Sequence, residues 1–393
     1  MSAEDENCPA MSLLDHVLCL DDFEPLARSR LPRPIFEYIA GAAERNQSLA
    51  DNSSAFARYS FVPRSLVDVS KRSIETELLG HRYSAPFGLA PMGISALSAY
   101  RGDLVLTEAA SRANVPMIMS GSSLIRMEEI AAANPRAWFQ AYLPGEDEAI
   151  SLLISRVQRV GFGTLVVTVD TPVAANRENN IRAGFSTPLR PSLRLAWDGL
   201  THPRWTMGTF ARTLLKHGVP HFENNYATRG APIISPTVER DFSDRGHLNW
   251  RHFSMIRSAW KGRLVVKGIL AASDAQRAKQ LGVDGIIVSN HGGRQLDGAI
   301  APLRVLPEIV EAVSDIPVMI DSGFRRGTDV LKALALGASF AFVGRPFGYA
   351  AAVGGQQGVT KGIQILQAEI SRDLGLLGVT SPSELGFQHL RKD

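Results

Sequence analysis

Short apolar segments alternate with helical patterns along most of this chain. Eight segments rich in Val, Ile, Leu or Phe show little alternation of polar and apolar positions, which is typical of strands buried on both faces. These segments are 86–92, 115–120, 138–142, 165–170, 264–267, 286–291, 318–321 and 341–344. Eight successive strand–helix units predict an α/β fold of the (β/α)8 (TIM) barrel type, with an open doubly wound sheet as the alternative.

The helical patterns between these strands have recognisable ends. Residues 146–160 carry apolar side chains at helical spacing. Two shorter helices, over 275–281 and 330–336, are each predicted by a polar pair before the helix and a glycine after it. The pairs are Ser273-Asp274 and Thr328-Asp329, and the glycines are Gly282 and Gly337.

One connection is longer than the others and suggests an insertion. The segment between Asp170 and Leu264 far exceeds the length that a strand-to-helix loop needs. Residues 184 to about 246 are therefore interpreted as an insertion after the fourth strand, on the side where barrel active sites lie. The remaining chain divides into an N-terminal helical lead-in (1–30), a barrel domain (31–385) and a tail (386–393).

Composition narrows the class of protein. With 45% hydrophobic and 21% charged residues, the 393-residue chain can form a large core, and a net charge of +3 gives no reason to expect nucleic acid binding. The only cysteines, Cys8 and Cys19, indicate neither a disulfide framework nor a thiolate metal site. Neither a secretory signal nor a membrane-spanning apolar stretch is recognisable, so we expect a cytoplasmic protein.

The run from Ser289 to Asp297 is the most informative stretch of the sequence. It follows an apolar strand and places His291 and Arg294 three residues apart around two glycines. A histidine can take up a proton near neutral pH, and an arginine can hold a carboxylate through two parallel hydrogen bonds. The pair therefore suits the removal of hydrogen from an acid substrate.

Polar side chains occur at the carboxyl ends of all eight predicted strands, which in a barrel face one opening. The loops after strands seven and eight, 322–327 and 344–346, combine glycines with arginines. Such loops commonly bind phosphate in barrel enzymes, since glycine lets backbone N–H groups approach an anion. Asp321 lies beside them and can accept hydrogen bonds from sugar hydroxyls.

On these residues the chain resembles the FMN-dependent L-2-hydroxy acid oxidases and dehydrogenases from about Leu31 to Leu385. The resemblance is carried by the run 289–297, by 321–327, by 344–346 and by an N-terminal element from Leu31 through Tyr38 to Ala42. It implies an FMN cofactor and the oxidation of a small 2-hydroxy acid to the 2-oxo acid. A homotetramer is expected by analogy with the family.

The resemblance also implies roles for individual residues in catalysis and substrate binding. His291 corresponds to the active-site base, and Asp170 to the carboxylate that orients it and favours its protonated form. Arg177 and Arg294 correspond to the pair that holds the substrate carboxylate. The tyrosines that hydrogen-bond the substrate are Tyr38 and Tyr142, and the lysine beside the flavin is Lys267.

Further positions correspond to the cofactor site of the family. The segment next to flavin N5 is Pro91, Met92 and Gly93. Residues that hydrogen-bond the ring and the ribityl chain are Ser120, Gln140, Thr168 and Ser289. The ribityl and phosphate site comprises Asp321, Ser322, Gly323, Phe324, Arg325, Gly344 and Arg345.

Ser122 suggests the size of the substrate. Glycolate oxidase has a tryptophan at this position, and a serine leaves room for a larger substituent at C2. The small neighbours Gly121 and Gly93 agree with this interpretation, although Leu124, Met92 or the insertion could refill the space. The sequence therefore favours a mandelate-like or lactate-like substrate over glycolate.

Residues 190–216 have two possible interpretations. Basic side chains interleaved with Trp, Phe and Leu are typical of segments that lie on a membrane surface. The segment is then a peripheral contact with the inner face of the cell membrane, and reduced FMN passes its electrons to a quinone. The other interpretation is a mobile soluble lid. The basic residues are Arg190, Arg194, Arg204, Arg212 and Lys216, and the apolar ones include Leu195, Trp197, Leu200, Trp205, Met207, Phe210, Leu214 and Leu215.

Three alternatives stay open at this stage. Transfer of electrons to O2 would make the protein an oxidase of the same family. Outside the family, a barrel aldolase could use Lys267 as a Schiff base, and a flavin-binding redox partner could lack turnover altogether. The sequence also leaves undecided whether the substrate hydrogen leaves as a hydride or as a proton.

Overall fold

A closed parallel barrel forms the centre of the protein. The computed structural model describes residues 13–185, 193–235 and 245–392. Its eight parallel strands pair in the order β1-β8-β7-β6-β5-β4-β3-β2, and a parallel bridge between Leu89 and Met117 joins β1 to β2. The predicted (β/α)8 barrel is thus confirmed over the open sheet. The strands are β1 Phe87–Leu89, β2 Ile118–Ser120, β3 Trp138–Ala141, β4 Thr164–Thr168, β5 Arg263–Ile269, β6 Gly285–Val288, β7 Val318–Ile320 and β8 Phe340–Val343.

The two faces of each strand belong to two different apolar clusters. Val166 of β4 and Val265 of β5 pack with the side chains that fill the barrel interior. Their neighbours Val167 and Val266 pack in the larger cluster between the sheet and the surrounding helices. Because both faces are buried, the strands have no polar face, which explains the continuous apolar runs in the sequence.

Helices surround the sheet and connect its strands. Three lie in the N-terminal part, three in the described part of the insertion, and the others around the barrel. In chain order they are α1 Phe23–Arg30, α2 Arg33–Ala40, α3 Gln47–Ser54, α4 Gly102–Arg112, α5 Met127–Ala133, α6 Asp147–Val160, α7 Glu178–Ala183, α8 Leu193–Thr201, α9 Pro203–Trp205, α10 Arg212–His217, α11 Trp250–Ala259, α12 Ala272–Gln280, α13 Pro302–Ala312, α14 Gly327–Ala335 and α15 Arg345–Leu377. A π-helical segment, Thr206–Ala211, joins α9 to α10, and α15 breaks at Gly355.

Two helices begin earlier than their sequences predict. α12 starts at Ala272 and α14 at Gly327, so the polar pairs predicted as caps lie inside the first turn instead. The carboxylate of Asp329 accepts hydrogen bonds from the backbone N–H groups of Arg325 and Arg326, at 2.9 and 3.0 Å. An acidic group in the first turn satisfies free N–H groups as well as a cap does. The glycines after both helices adopt positive φ, as expected.

The described parts of the predicted lead-in and of the predicted tail both contact the core of the barrel domain. Phe23 and Ala27 of the lead-in are fully buried, and α1 packs on α15. In the predicted tail, Leu390–Lys392 forms an antiparallel pair with Tyr59–Phe61. A second antiparallel pair joins Thr76–Leu78 to His81–Tyr83. The division of the chain at 31 and 385 remains a prediction.

The insertion is largely helical over residues 193–217 and irregular over 218–235, and aromatic residues pack it against the barrel. Trp205 and Phe222 are buried, and Nε1 of Trp205 donates to the backbone carbonyl of Leu97 at 2.7 Å. Arg190 and the side chain of Arg194 lie outside the described residues. Within the described ranges, no helix is both long and apolar enough to cross a bilayer.

Candidate active site

A cavity of about 870 Å³ opens at the carboxyl ends of the strands. Most of the residues predicted to bind substrate or cofactor contribute to its wall, although they come from distant parts of the chain. Those that line it are Tyr38, Pro91, Met92, Gly93, Ser122, Tyr142, Thr168, Arg177, Lys267, His291, Arg294, Asp321, Ser322, Gly344 and Arg345.

Some predicted site residues lie behind this wall and contact the residues that line it. Asp170 contacts His291, Ser289 accepts from Lys267, and Ser120 donates to Gln140 at 3.2 Å. These residues hold the lining residues in place without lining the cavity themselves.

The loop after β7 differs most from the predicted arrangement of the site. Phe324 packs edge-on against Phe56, and Arg325 Nε lies 3.2 Å from an oxygen of Asp21. Gly323 adopts φ +90 and packs against the backbone of Asn52 so closely that a Cβ would lie 2.4 Å from its carbonyl oxygen. The side chains of Phe324 and Arg325 therefore face the N-terminal helices rather than the cavity.

The sequence predicted a sixth strand that extends to His291, but His291 lies in a turn after the strand. Strand β6 ends at Val288, and His291 begins a single 3-10 turn with φ +60. Left-handed backbone is uncommon for a histidine and requires support from its surroundings. Ser289 Oγ accepts from the His291 N–H at 3.0 Å.

A buried pair of amides holds this turn against the N-terminal helices. The side chains of Asn52 and Asn290 donate to each other reciprocally, at 2.9 and 2.7 Å. Asn290 also accepts from the N–H of Gly293 at 3.1 Å. Sequence reasoning missed Asn52, because nothing in α3 indicates that it contacts a turn 238 residues later.

The imidazole of His291 connects a carboxylate with a phenol. Its Nδ1 lies 3.0 Å from Asp170 Oδ1, and its Nε2 lies 3.3 Å from the hydroxyl of Tyr142. With the proton on Nδ1 donated to Asp170, Nε2 is left as an acceptor at the cavity wall. This arrangement suits a general base.

Burial and two nearby cations favour the neutral form of His291. Burial lowers the pKa of His291, and although Asp170 raises it, Lys267 and Arg177 lower it further. Burial alone would raise the pKa of Asp170, but His291 and Lys267 bring it below its ordinary value. Asp170 acts in the expected direction because it raises the pKa of His291, but burial and the two cations outweigh it. A neutral base beside an ionised carboxylate is ready to accept a proton.

Lys267 is a buried cation with fixed partners. Its Nζ lies 3.1 Å from Asp321 Oδ2 and donates to Ser289 Oγ at 2.9 Å. Burial opposes the charge, but Asp321 and Asp170 outweigh it and raise the pKa of the lysine. A Schiff-base lysine must lose its proton before it attacks a carbonyl. The site therefore disfavours the aldolase alternative.

Three arginines give the cavity an excess of positive charge. Within the described residues, all three donate to neutral oxygens. Arg294 donates to the carbonyls of Tyr38 and Gly41 (both 2.8 Å) and of Ile39. Arg345 donates to the carbonyls of Ile39, Gly41 and Gly292, and Arg177 donates to the carbonyl of Arg294 and to the side chain of Gln295. Burial and Arg177 lower the pKa of Arg294 to about 10. Burial and Arg294 lower that of Arg345 to about 9. Anionic ligands would relieve this repulsion.

Arg245 is a cavity residue that sequence reasoning missed. It is 5% exposed, lies at the end of the insertion, and places its guanidinium 5.4 Å from the ring centroid of Tyr142. It belongs to no recognisable motif, and only its place at the return from the insertion to the barrel could have suggested it.

The residues of the cavity fit a flavin nucleotide. Among the described residues, Gln140 Nε2 and Thr168 Oγ1 are buried at strand ends without a hydrogen-bond partner. Buried polar atoms are nearly always paired in native proteins, so these two indicate a polar ligand. A Cβ on Gly93 would lie 3.1 Å from Ser122 Cβ and 3.3 Å from the Tyr38 hydroxyl. Because glycine lacks this atom, the cavity floor beneath such a ring stays open.

Comparisons with known proteins agree with this geometry. Residues 27–392 match the sequence model of a family described as FMN-dependent dehydrogenase. The chain is 36% identical over 375 residues to (S)-mandelate dehydrogenase of Pseudomonas putida, covering 95% of this chain and 94% of that one. It is 37% identical over 380 residues to L-lactate dehydrogenase of Stenotrophomonas maltophilia (strain R551-3), covering 94% and 97%. A crystal structure described as the monotopic membrane protein (S)-mandelate dehydrogenase superimposes with a TM-score of 0.90 at 35% identity, covering 96% of this chain and all of that one.

Proposed function

We propose a substrate and a residue mechanism for this chain, which belongs to the FMN-dependent dehydrogenase family. The protein is an FMN-dependent oxidoreductase, and its proposed substrate is an L-2-hydroxy acid whose C2 substituent is larger than that of glycolate. The observation that carries the proposal is the pairing of His291 with Asp170 at the wall of a cavity rich in arginine.

In the proposed mechanism, His291 accepts a proton from the substrate. Its Nε2 contacts the Tyr142 hydroxyl, which can align the substrate hydroxyl by hydrogen bonding. Once His291 is protonated, the Asp170 carboxylate at Nδ1 stabilises the imidazolium. Positioned proton transfer of this kind contributes about 10²- to 10⁴-fold to the rate.

The substrate carboxylate would be held by Arg177 and Arg294. Each guanidinium keeps N–H groups beyond those that donate to the protein, because Arg294 uses one terminal nitrogen and Arg177 uses Nε and one terminal nitrogen. A carboxylate between them would also bring negative charge close to His291. That charge would make the imidazole a stronger base when the substrate is bound.

Cofactor binding is proposed to use the strand ends opposite these arginines. Bound FMN supplies an acceptor for the two electrons that the substrate loses. Gln140 and Thr168 would pair their free polar atoms with it, and Lys267 would place its positive charge at the edge of the ring. Arg345 and backbone N–H groups of the loop after β7 would bind its phosphate.

Ser122 and the aromatic part of the wall support a mandelate-like substrate. Ser122 adjoins Gly93, and Phe185 packs at 4.7 Å against Tyr38. Phe185 and Phe222 are buried and line the same cavity. A small residue in a cavity that apolar rings also line offers space and contact area for a phenyl group.

The test is anaerobic mixing of the FMN-loaded protein with (S)-mandelate, L-lactate and glycolate, followed by the loss of oxidised flavin absorbance. We expect the highest kcat/KM with (S)-mandelate and the lowest with glycolate. A flavin that stays oxidised with all three acids would contradict the proposal. Reoxidation by a quinone analogue or by O2 then distinguishes a dehydrogenase from an oxidase, and we expect the quinone to be faster.

We also propose that the insertion contacts a membrane surface. Leu193, Trp197 and Leu200 recur at helical spacing on α8 and are 92%, 67% and 74% exposed. Met207 and Leu215 extend this apolar surface, and the basic residues Arg204, Arg212 and Lys216 accompany it. An exposed apolar surface with basic neighbours favours binding at an anionic bilayer, where a quinone would be available. The homotetramer remains a prediction.

A further inference from the structure

A second, smaller cavity lies where the insertion meets the barrel. It measures about 290 Å³ and is separate from the site described above. Its wall combines the end of α1, the start of α4, the α9–α10 region and the break in α15. The arginines Arg30, Arg204 and Arg212 all line it, and among the described residues its wall includes no carboxylate.

Ordinary structural roles account for only part of this positive charge. Arg30 donates to the carbonyl of Val353, just before the break at Gly355, where a helix end leaves carbonyls without partners. Arg212 stacks on Tyr100, with its guanidinium carbon 3.9 Å from the ring centroid. Arg204 forms no hydrogen bond or ion pair with the described residues. Burial, together with the positive charge of Arg204, lowers the pKa of Arg30.

A group that binds all three arginines needs several oxygens and a negative charge. Guanidinium groups form paired hydrogen bonds with carboxylates and phosphates. A carboxylate has two oxygens and satisfies one such pair, whereas a phosphate can present three or four oxygens to separate arginines. Thr209 and the backbone around Gly208 add polar and sterically open positions to the wall.

We propose that Arg30, Arg204 and Arg212 form a binding site for a phosphate group, either as a free anion or in the head group of an anionic lipid. The site adjoins the exposed apolar surface of the insertion, since Met207 lies between two of its arginines in the sequence. It does not depend on the oxidation chemistry, because none of its residues lines the larger cavity except Ser98 at the shared edge.

The experiment uses the FMN-loaded full chain, in which the phosphate seat of the larger cavity is filled. Inorganic phosphate is titrated by calorimetry at constant ionic strength. In a second arm, the protein is sedimented with phosphatidylcholine vesicles that contain or lack phosphatidylglycerol. The variants are Arg204→Gln, Arg212→Gln and their combination, with Lys216→Gln as the matched control, because it removes a positive charge from the same insertion outside the cavity.

We expect each arginine variant to weaken binding about tenfold and the double variant about a hundredfold. Lys216→Gln should leave binding of inorganic phosphate within about twofold and should weaken vesicle binding less than either arginine variant does, because Lys216 lies outside the cavity. Arg204→Lys should recover part of the loss because it restores the charge. An effect on inorganic phosphate assigns the site to the free anion, and one confined to phosphatidylglycerol vesicles assigns it to the lipid.

Equal binding of the double variant and the Lys216→Gln control to both probes would overturn the proposal. Flavin content and thermal unfolding show that each variant is folded. Turnover with a soluble acceptor should be unchanged in all of them, so a failure of this site is distinguishable from a failure of the proposed reaction.

Discussion

The barrel opening and the α8–α10 part of the insertion are neighbours with opposite solvent exposure. At the opening, Lys267 and Asp321 are buried, the side chains of His291 and Asp170 are only 14% and 12% exposed, and each charge has a defined contact. Along α8–α10, large apolar side chains are exposed and the cations lie among them. Burial of charged groups costs free energy that pairing offsets only in part, so such groups commonly mark functional sites. Exposed apolar surface is unfavourable unless something covers it. The first region therefore indicates catalysis within the molecule, and the second indicates an external partner.

The largest effect should follow from His291→Asn, which tests the buried region directly. Asparagine tolerates the left-handed backbone at this position but cannot act as a base at neutral pH. We expect kcat to fall about 10²- to 10⁴-fold in anaerobic flavin reduction, with FMN content unchanged. A loss of less than about tenfold would mean that the base lies elsewhere.

Asp170→Asn tests the partnership of Asp170 and His291 through the pH dependence of kcat/KM. Only the neutral imidazole accepts a proton, so kcat/KM of the wild-type protein should rise with pH through a midpoint below 6.5. Because Asp170 raises the pKa of His291, its removal should move this midpoint to lower pH and reduce kcat about a hundredfold. A midpoint that moves to higher pH would contradict the assigned partnership.

Ser122→Trp tests whether space at the cavity floor determines the substrate. The new ring would fill the region beside Gly93 and Tyr38. We expect kcat/KM to fall about tenfold or more for (S)-mandelate and clearly less for L-lactate, measured side by side. An equal loss for both acids would indicate general damage to the site rather than altered specificity.

The smallest effect should come from Trp197→Ser in the exposed region. Loss of one large apolar side chain should weaken partitioning to anionic vesicles about tenfold, with turnover on a soluble acceptor unchanged. Leu66→Ser is the matched control, since Leu66 is fully exposed but lies outside the insertion. If both variants bind vesicles like the wild type, the α8 surface has another partner or serves as a lid.

The sequence predicted the barrel well because strands buried on both faces carry continuous apolar runs. All eight predicted strands correspond to observed ones, although β6 ends at Val288 and not at His291. Apolar character marks where a strand is buried, but the turn at His291 depends on contacts with Asn52 and Asn290 from another part of the chain. Such distant pairs leave no local pattern.

Arg245 and the 290 Å³ cavity were unpredictable for a related reason. Each depends on how the insertion folds back onto the barrel, and no periodicity in the insertion specifies that arrangement. The positions predicted by resemblance, such as Lys267 and Arg294, lie instead at strand ends or in loops directly after them. The rigid sheet fixes where these residues lie once the strands are known.

The C-terminal strand has a practical consequence for handling the protein. Leu390 is 2% exposed, and Leu390–Lys392 pairs with Tyr59–Phe61. A bulky group attached directly after Lys392 would adjoin this small sheet, and loss of the strand would uncover the apolar side chains that it packs against. Recombinant preparations should therefore carry any affinity tag away from this strand, and loss of the strand seen by mass spectrometry would warn of an impending loss of solubility rather than of activity alone.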